Sequence, residues 1–170
     1  MSRQNSNQGR YSVVLLLSVS LLVTTSVLGQ KTKADSVTFY SHSQIDSLLS
    51  GKVSTQGAPS VLLERSKDNE AYLVIIRTKP GDVEVHEQYD DVAIIRSGHG
   101  ILKTGRTVQG HKESGKEPTR EWRGGVIQNA VERNLTPGDF VVIPAMLAHQ
   151  YIPNAGDKLT YWTIKVKRTK

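Results

Sequence analysis

Residues 135–154 read LTPGDFVVIPAMLAHQYIPN, and this stretch carries the clearest signal of fold. Its dipeptide at 137–138, Pro-Gly, predicts a turn, because proline fixes φ and glycine takes the left-handed backbone that tight turns need. A strand follows from Phe140 to Ile143, and Pro144 ends it, because proline cannot donate a hydrogen bond to a sheet. His149 then opens the next strand, where it is expected to face the inside of a closed barrel.

The rest of the chain from Ser60 onward repeats this alternation of apolar runs and turns. The turn signals recur every eight to twelve residues or so, the spacing of short strands in all-β domains. The sequence therefore predicts an antiparallel all-β barrel or sandwich. Its runs are SVLLER, AYLVIIRT, DVEVHEQ, DVAIIRS, GILKTG, GVIQNAVER, DFVVIPA, HQYIP and LTYWTIKVK.

One interval, residues 106–123, interrupts this rhythm. It reads RTVQGHKESGKEPTREWR and is rich in charged residues, so we predict a long loop rather than a core element. Long loops in compact domains often serve as lids or binding loops. A tolerated surface insertion would have the same composition, and the sequence leaves both interpretations open.

The N-terminus has the pattern of a secretory signal peptide. Arg3 and Arg10 precede an apolar stretch, VVLLLSVSLLVTTSVLG, and Val27 and Gly29 suit the positions before a cleavage site. We therefore expect residues 1–29 to be removed, no stable membrane span to remain, and the protein to be periplasmic or secreted. An uncleaved N-terminal membrane anchor is the alternative.

Two further segments follow the signal peptide. Residues 30–59 are a polar stretch with one short helix, SHSQIDSLLSG, for which Ser43 is the predicted N-cap and Gly51 the predicted stop. Residues 60–170 form a single β domain that is long enough to bury a core.

Composition excludes several classes of protein. The chain of 170 residues has no Cys, so it forms no disulfide and no thiolate zinc site. Its formal charge of +6 falls to +4 without Arg3 and Arg10, which is a mild excess. The basic residues are neither interleaved with aromatics nor set on a reading helix, so nucleic acid is not an expected partner.

A second group of polar residues begins at His86 and reads HEQYDDVAIIRSGHG. Because side chains alternate faces along a strand, His86 and Gln88 share one face with Glu84. A tight link at residues 89–90 would start the next strand at Asp91. That strand would return antiparallel and bring the Asp91 carboxylate beside His86.

Together the two stretches resemble the motifs of the cupin superfamily of small β-barrels. The second cupin motif runs G-x5-P-x-G-x2-H-x3-N. Here Gly138, Pro144 and His149 match it, while Met146 replaces its second glycine and Asn154 lies one place late. The resemblance covers roughly residues 70 to 166.

The first cupin motif, G-x5-H-x-H-x(3,4)-E-x6-G, is matched mainly in its rear half. Asp91 and Gly98 have its E-x6-G spacing, and Gly81 and His86 stand at its front. The resemblance implies a cupin-type β-barrel (double-stranded β-helix or jelly roll), with the short helix beside it.

The resemblance also implies a metal site. Carried over position by position, the ligands are His86, Gln88, Asp91 and His149. An alternative register takes His86 as the second motif histidine and puts Glu84 in place of the first. Both registers keep two imidazoles and one carboxylate, a set that binds iron, manganese, nickel or zinc as divalent ions.

The implied activity is dioxygenase- or isomerase-type chemistry on a small oxygen-rich organic molecule, with Glu84 or Asp90 as the base. The alternative is a non-catalytic cupin that binds a small ligand such as a sugar, because a fold does not fix a function. The sequence leaves open whether the protein is an enzyme. The family resemblance also makes a homodimer an expectation.

Overall fold

The computed structural model describes residues 37–53, 60–66, 70–114 and 120–168. The predicted signal peptide, residues 1–29, lies outside them. Of two compact units, Met1–Phe39 and Tyr40–Lys170, the second contains every described helix and strand. These are α1 (His42–Val53), β1 (Ser60–Arg65), β2 (Ala71–Arg77), β3 (Glu84–His86), β4 (Tyr89–Ser97), β5 (Gly100–Gly105), β6 (Thr107–Gln109), β7 (Lys112–Ser114), β8 (Glu121–Arg123), β9 (Val126–Gln128), β10 (Val131–Leu135), β11 (Phe140–Ile143), β12 (Ala148–Pro153) and β13 (Leu159–Lys167).

The strands form two larger sheets and a short ribbon. A five-stranded sheet has the order β1-β2-β13-β4-β11, and a six-stranded sheet has the order β10-β5-β12-β3-β8-β7. The pairs within both sheets are antiparallel. The ribbon pairs β6 with β9.

One apolar core joins the two sheets. Tyr151 of the six-stranded sheet stacks on Tyr161 of the five-stranded sheet, with ring centroids 4.4 Å apart. Around them lie buried side chains from both sheets, namely Ala93, Ile95, Leu102, Leu135, Ile143 and Leu159. The inner faces therefore pack against each other, and the predicted all-β barrel with one short helix is confirmed.

The connection between β3 and β4 differs from the prediction. Tyr89 and Asp90 were expected to form the link, but β4 begins at Tyr89, so the link consists of residues 87–88. Tyr89 is buried, and burying its ring inside the strand favours this boundary over an exposed turn. Gln88 consequently lies in the link and does not continue the alternation of β3.

The prediction of a long loop over residues 106–123 is wrong. The described part of this interval contains β6, β7 and β8, and β8 pairs with β3. The reason is the alternation of side chains in β8: Trp122 packs against the cluster that contains Val83 and Val85, while Glu121 and Arg123 point to the opposite face. The charged composition of this interval is typical of a loop, but in β8 the charged side chains of Glu121 and Arg123 face inward.

The helix begins earlier and ends later than predicted. Ser41, not Ser43, is its N-cap: the Ser41 hydroxyl accepts a hydrogen bond from the Gln44 N–H at 3.2 Å, and the Gln44 amide oxygen accepts one from the Ser41 N–H at 2.7 Å. This is a capping box. The helix then continues through Gly51 to Val53, because glycine weakens a helix interior without ending it. Its buried Ile45 and Leu49 pack against residues of β1 and β2.

A tight turn between β11 and β12 contains Met146. Met146 has a φ of 66°, in the left-handed region that glycine adopts most readily. Its N–H donates a hydrogen bond to the carbonyl oxygen of His86 at 2.8 Å, which ties the turn to the end of β3. The position of the motif glycine therefore keeps the glycine conformation although it holds a methionine.

We predict that Met146→Gly stabilises the protein. A left-handed backbone costs a residue with a side chain about 1–2 kcal/mol, and glycine's extra freedom in the unfolded chain offsets about 0.5–1 kcal/mol of this gain. The Met146 side chain is 55% exposed, so little packing is lost. Urea denaturation should show a free energy of unfolding higher by about 0.5–1 kcal/mol. Met146→Ala keeps the strained backbone, and an equal gain in that control would contradict the explanation.

Candidate metal centre

Four polar side chains meet between the two sheets, next to the Met146 turn. Glu84 and His86 come from β3, and His149 comes from β12, where it lies directly opposite Glu84 in the strand pairing. Asp91 reaches them from β4 of the other sheet. Both histidines and Asp91 are buried, so the cluster is closed off from most of the solvent.

The spacing of these side chains suits a metal ion. Glu84, His86 and His149 can each offer one ligand atom, and the three atoms lie within 4.8 Å of one another. Nε2 of His86 lies 3.4 Å from Oε2 of Glu84. Oδ2 of Asp91 lies 3.4 Å from Nε2 of each imidazole. Two ligands bound at about 2.1 Å to a tetrahedral metal are about 3.4 Å apart, so the distances fit.

Each imidazole is oriented through its other nitrogen. Nδ1 of His149 lies 3.3 Å from the carbonyl oxygen of Leu147, and Nδ1 of His86 lies 3.1 Å from Oε2 of Glu121. When Nδ1–H donates to an oxygen, Nε2 keeps its lone pair. Partners of this kind fix the ring and the tautomer of metal-binding histidines. Both Nε2 atoms therefore face the cluster, in ring orientations that suit metal binding once each Nε2 is unprotonated.

A lysine on β13 enters the same cluster. Nζ of Lys165 lies 2.7 Å from Nε2 of His86 and 2.9 Å from Oδ1 of Asp91. The ammonium group thus contacts the lone pair through which His86 would bind a metal. A metal fits these residues when Lys165 no longer contacts Nε2 of His86. Lys165 can lose this contact and still donate to Oδ1 of Asp91, because the imidazoles face the other oxygen of Asp91, Oδ2.

Two arginines neutralise the carboxylates on the other side of the cluster. Nη1 of Arg123 donates to Oε1 of Glu84 at 2.8 Å, and Nε of Arg123 donates to Oε1 of Glu121 at 2.8 Å. Arg77 lies 3.5 Å from the same oxygen of Glu84 and donates through Nε to the Tyr161 hydroxyl at 2.9 Å. A cavity of about 280 Å³ adjoins these groups and is lined by both arginines, Glu84, Asp91, His149 and Lys165 among others.

The two buried carboxylates are held in their charged form. Burial raises the pKa of Glu84, but its hydrogen bond with His86 and the charge of Arg123 outweigh burial, and the pKa falls well below its ordinary value. Burial likewise raises the pKa of Asp91. Hydrogen bonds with His149 and His86 and the charge of Lys165 lower it by more than burial raises it, so the pKa lies well below its ordinary value. Charged carboxylates are the form that binds a metal.

The pKa of His86 is subject to two opposing effects. Burial lowers its pKa, but hydrogen bonds with Asp91, Glu121 and Glu84 raise it to about 10. At 2.7 Å from Lys165, however, only one of the two facing nitrogens can carry the proton between them. Metal binding to Nε2 of His86 therefore displaces a cation, whether this is a proton or the ammonium group.

The structure brings together most of the predicted site residues. Glu84, His86 and His149 form the group, with Asp91 in contact with both imidazoles, and their role as metal ligands stays a prediction. Gln88 lies in the link after β3, where its carbonyl oxygen accepts a hydrogen bond from the Arg168 N–H at 2.9 Å. The role of Gln88 as a ligand also stays a prediction. Because β3 ends at His86, Gln88 does not share a strand face with Glu84 and His86, as the prediction had assumed.

Asp90 lies elsewhere. As the neighbour of Asp91 in β4 it points to the other face of the sheet. Its Oδ1 accepts hydrogen bonds from the Ala145 N–H at 2.6 Å and from Nε of Arg168 at 2.8 Å. These contacts do not favour the predicted role of Asp90 as a base.

Sequence reasoning missed the charged groups that complete the cluster: Lys165, Glu121, Arg123 and Arg77. For Lys165 a signal was available, because alternation along β13 puts it on the same face as buried Tyr161 and Thr163. For Glu121 and Arg123 the three residues of β8 are too few to show a pattern.

The fold defines the class of the protein as an antiparallel all-β barrel with one short helix, and solved structures that are similar to it include cupins. A cupin superfamily protein from Desulfitobacterium hafniense is 17% identical, with a TM-score of 0.44 over 67% of this chain and 80% of its own. A cupin-2 domain protein from Rhodospirillum rubrum is 17% identical, with a TM-score of 0.47 over 68% of this chain and 64% of its own.

Another similar structure is hydroquinone 1,2-dioxygenase PnpCD in complex with Cd²⁺ and 4-hydroxybenzonitrile, at 13% identity and a TM-score of 0.44 over 64% of each chain. This chain therefore spans less than two thirds of some of its structural neighbours. No family model matches the sequence, and no curated protein matches it.

We predict that the metal-free protein loses stability in acid because of this cluster. The pKa values of Glu84 and Asp91 are lower in the folded than in the unfolded chain, so their stabilising contribution is complete above the ordinary carboxyl pKa and is lost as pH falls below it. In chelator-treated protein, the free energy of unfolding should decline from about pH 5 downward.

Glu84→Gln should make this decline shallower. The matched control is Glu132→Gln, which removes an exposed carboxylate that pairs with Lys103 at the surface. Urea denaturation between pH 3 and pH 6, in steps of about half a unit, gives the slope. Equal slopes in wild type and Glu84→Gln would contradict the assignment.

Proposed function

We propose that this protein holds a divalent metal ion between its sheets and acts on a small oxygen-rich organic molecule. The observation that carries the proposal is the pair of buried imidazoles, each supported at Nδ1 by an oxygen and each with Nε2 at 3.4 Å from Asp91. His86, His149 and a carboxylate of Asp91 or Glu84 are the proposed ligands, and Gln88 is a further candidate. Iron, manganese, nickel and zinc suit this set.

When bound, the metal supplies Lewis-acid or oxygen-activating chemistry to substrate oxygens. The chain's own residues orient and enclose the reaction: Glu121 and Leu147 fix the two imidazole rings, and Tyr151 and Tyr161 close the apolar end of the cavity. Because Oε1 of Glu84 is taken by two guanidinium groups and its pKa is low, Glu84 suits the role of ligand better than that of base. Dioxygenase- or isomerase-type chemistry is the proposed activity.

A second candidate function is a metal-free barrel that binds a small ligand such as a sugar. The contact of Lys165 with His86 and Asp91 favours it, because the ammonium group already provides a cation at the cluster. Metal content separates the two candidates. A barrel that binds a sugar and takes up no metal would support the second.

We also propose that residues 1–29 direct export and that the protein works in the periplasm or outside the cell. The support is the order of basic residues, apolar stretch and small residues at the N-terminus. Within the part of the chain that the structure describes, no helix is both long and apolar enough to cross a membrane.

The first test is metal content. Protein incubated with Fe²⁺, Mn²⁺, Ni²⁺ and Zn²⁺ and then desalted should retain about one ion per chain by elemental analysis, and His149→Ala should reduce this to less than about a tenth. The matched control is His99→Ala, because His99 also lies 3.3 Å from an acid, Asp157, but at the surface. If His149→Ala retains the ion as wild type does, the proposed ligand set is wrong.

We further predict that Lys165→Met binds metal more tightly than wild type. Removing the ammonium group frees Nε2 of His86 and leaves the charge of Asp91 for the metal, which should raise the affinity by about tenfold or more. Titration of chelator-treated protein with Co²⁺ measures it. Lys103→Met, a change at a surface lysine paired with Glu132, should leave the affinity unchanged. Unchanged affinity in Lys165→Met would show that the lysine does not compete with the metal.

A further inference from the structure

The charges that line the cavity are balanced without a metal. Three cationic side chains line it, those of Arg77, Arg123 and Lys165, and three acidic ones, those of Asp82, Glu84 and Asp91. A divalent ion would leave an excess of positive charge in this space of about 280 Å³: an excess of two over the lining side chains, and of one when Glu121, the further partner of Arg123, is counted. Such an excess favours an anionic ligand over a neutral one.

Among these cations, Lys165 is the one free to meet such a ligand. Arg77 is fixed by the Tyr161 hydroxyl and Glu84, and Arg123 is fixed by Glu84 and Glu121. The partners of Lys165 are the two metal-site residues His86 and Asp91. Binding of a metal to Nε2 of His86 removes one of these partners and leaves an ammonium group with an unused hydrogen beside the metal, on the cavity wall.

A second polar group at the cavity, the hydroxyl of Tyr151, has no hydrogen-bond partner among the described residues. The Tyr151 hydroxyl is buried. Its ring lines the cavity edge-on to the His149 ring, at 6.1 Å between centroids. A buried hydroxyl without a partner is costly, and a ligand oxygen in the cavity would relieve that cost.

We propose that the substrate is a small organic anion with a carboxylate or a similar oxyanion, and that Lys165 binds this anionic group beside the metal. The inference rests on the proposed metal site and adds the class of substrate and the residue that recognises it. Lys165 is thus a binding residue whose partner changes from His86 to the substrate when the metal enters.

The test uses Co²⁺ as the metal and two small ligands of equal size, lactate and its uncharged amide, lactamide. Calorimetry and the visible spectrum of Co²⁺ report binding without any need for turnover. Co²⁺-loaded wild type should bind lactate at least about tenfold more tightly than lactamide. Lys165→Met should lose most of this preference and keep only that of Co²⁺ itself for a carboxylate, and Lys103→Met should keep it in full. Tyr151→Phe should weaken both ligands by a similar factor.

The outcomes separate the two proposals. If neither wild type nor Lys165→Met takes up Co²⁺, the proposed metal site fails and the inference fails with it. If Co²⁺ is bound but Lys165→Met prefers lactate as strongly as wild type does, only the inference is overturned. Uptake of Co²⁺ by Lys165→Met also shows that this variant folds. If it takes up none while wild type does, Lys165→Gln, which keeps a hydrogen-bond donor for Asp91 without the charge, replaces it under the same criterion.

Discussion

The carboxylate of Asp91 is the contact on which the site and the packing of the sheets both depend. It extends from β4 of the five-stranded sheet to imidazoles on β3 and β12 of the six-stranded sheet, and its second oxygen accepts from Lys165 on β13. A carboxylate that is 3% exposed is stable only when its oxygens are satisfied. The two sheets must therefore meet in a register that brings these partners together, so the polar cluster fixes the alignment that the apolar core only favours.

The sequence predicted the strands well because their signal is local. Each run from SVLLER to LTYWTIKVK has β-branched or apolar residues between turn signals, and burying one face of such a run is favourable wherever it lies in the sheet. His149 and Asp91 were predicted from the spacing of the motifs that the sequence resembles, and Asp91 was also expected beside His86 from the antiparallel return of its strand. What failed was the position of element ends: burial of Tyr89 starts β4 earlier than predicted, and the local capping box of Ser41 and Gln44 starts the helix earlier.

The rest of the site could not be predicted, because its contacts join residues far apart in the chain. Lys165 is 79 positions from His86, and although alternation along β13 puts it on the inward face, nothing local shows that its ammonium group reaches His86. Glu121 and Arg123 stand in a run of charges that is typical of a loop, yet they face Glu84 and His86 across β8 and β3. Patterning of one strand shows which side chains share a face, but only the pairing of strands shows what they meet.

Met146 shows that a turn can take the left-handed backbone angle without a glycine. The cupin motif has glycine where this chain has methionine, and the backbone still takes the left-handed angle there. The turn keeps this angle because the Met146 N–H is bonded to the His86 carbonyl oxygen, which holds the start of β12 against the end of β3. Because Met146 is bonded to His86 and lies three residues before His149, the strained turn adjoins the site. A methionine in place of the glycine therefore leaves the arrangement of Glu84, His86 and His149 intact, and the lysine that contacts His86 and Asp91 lies outside both motifs.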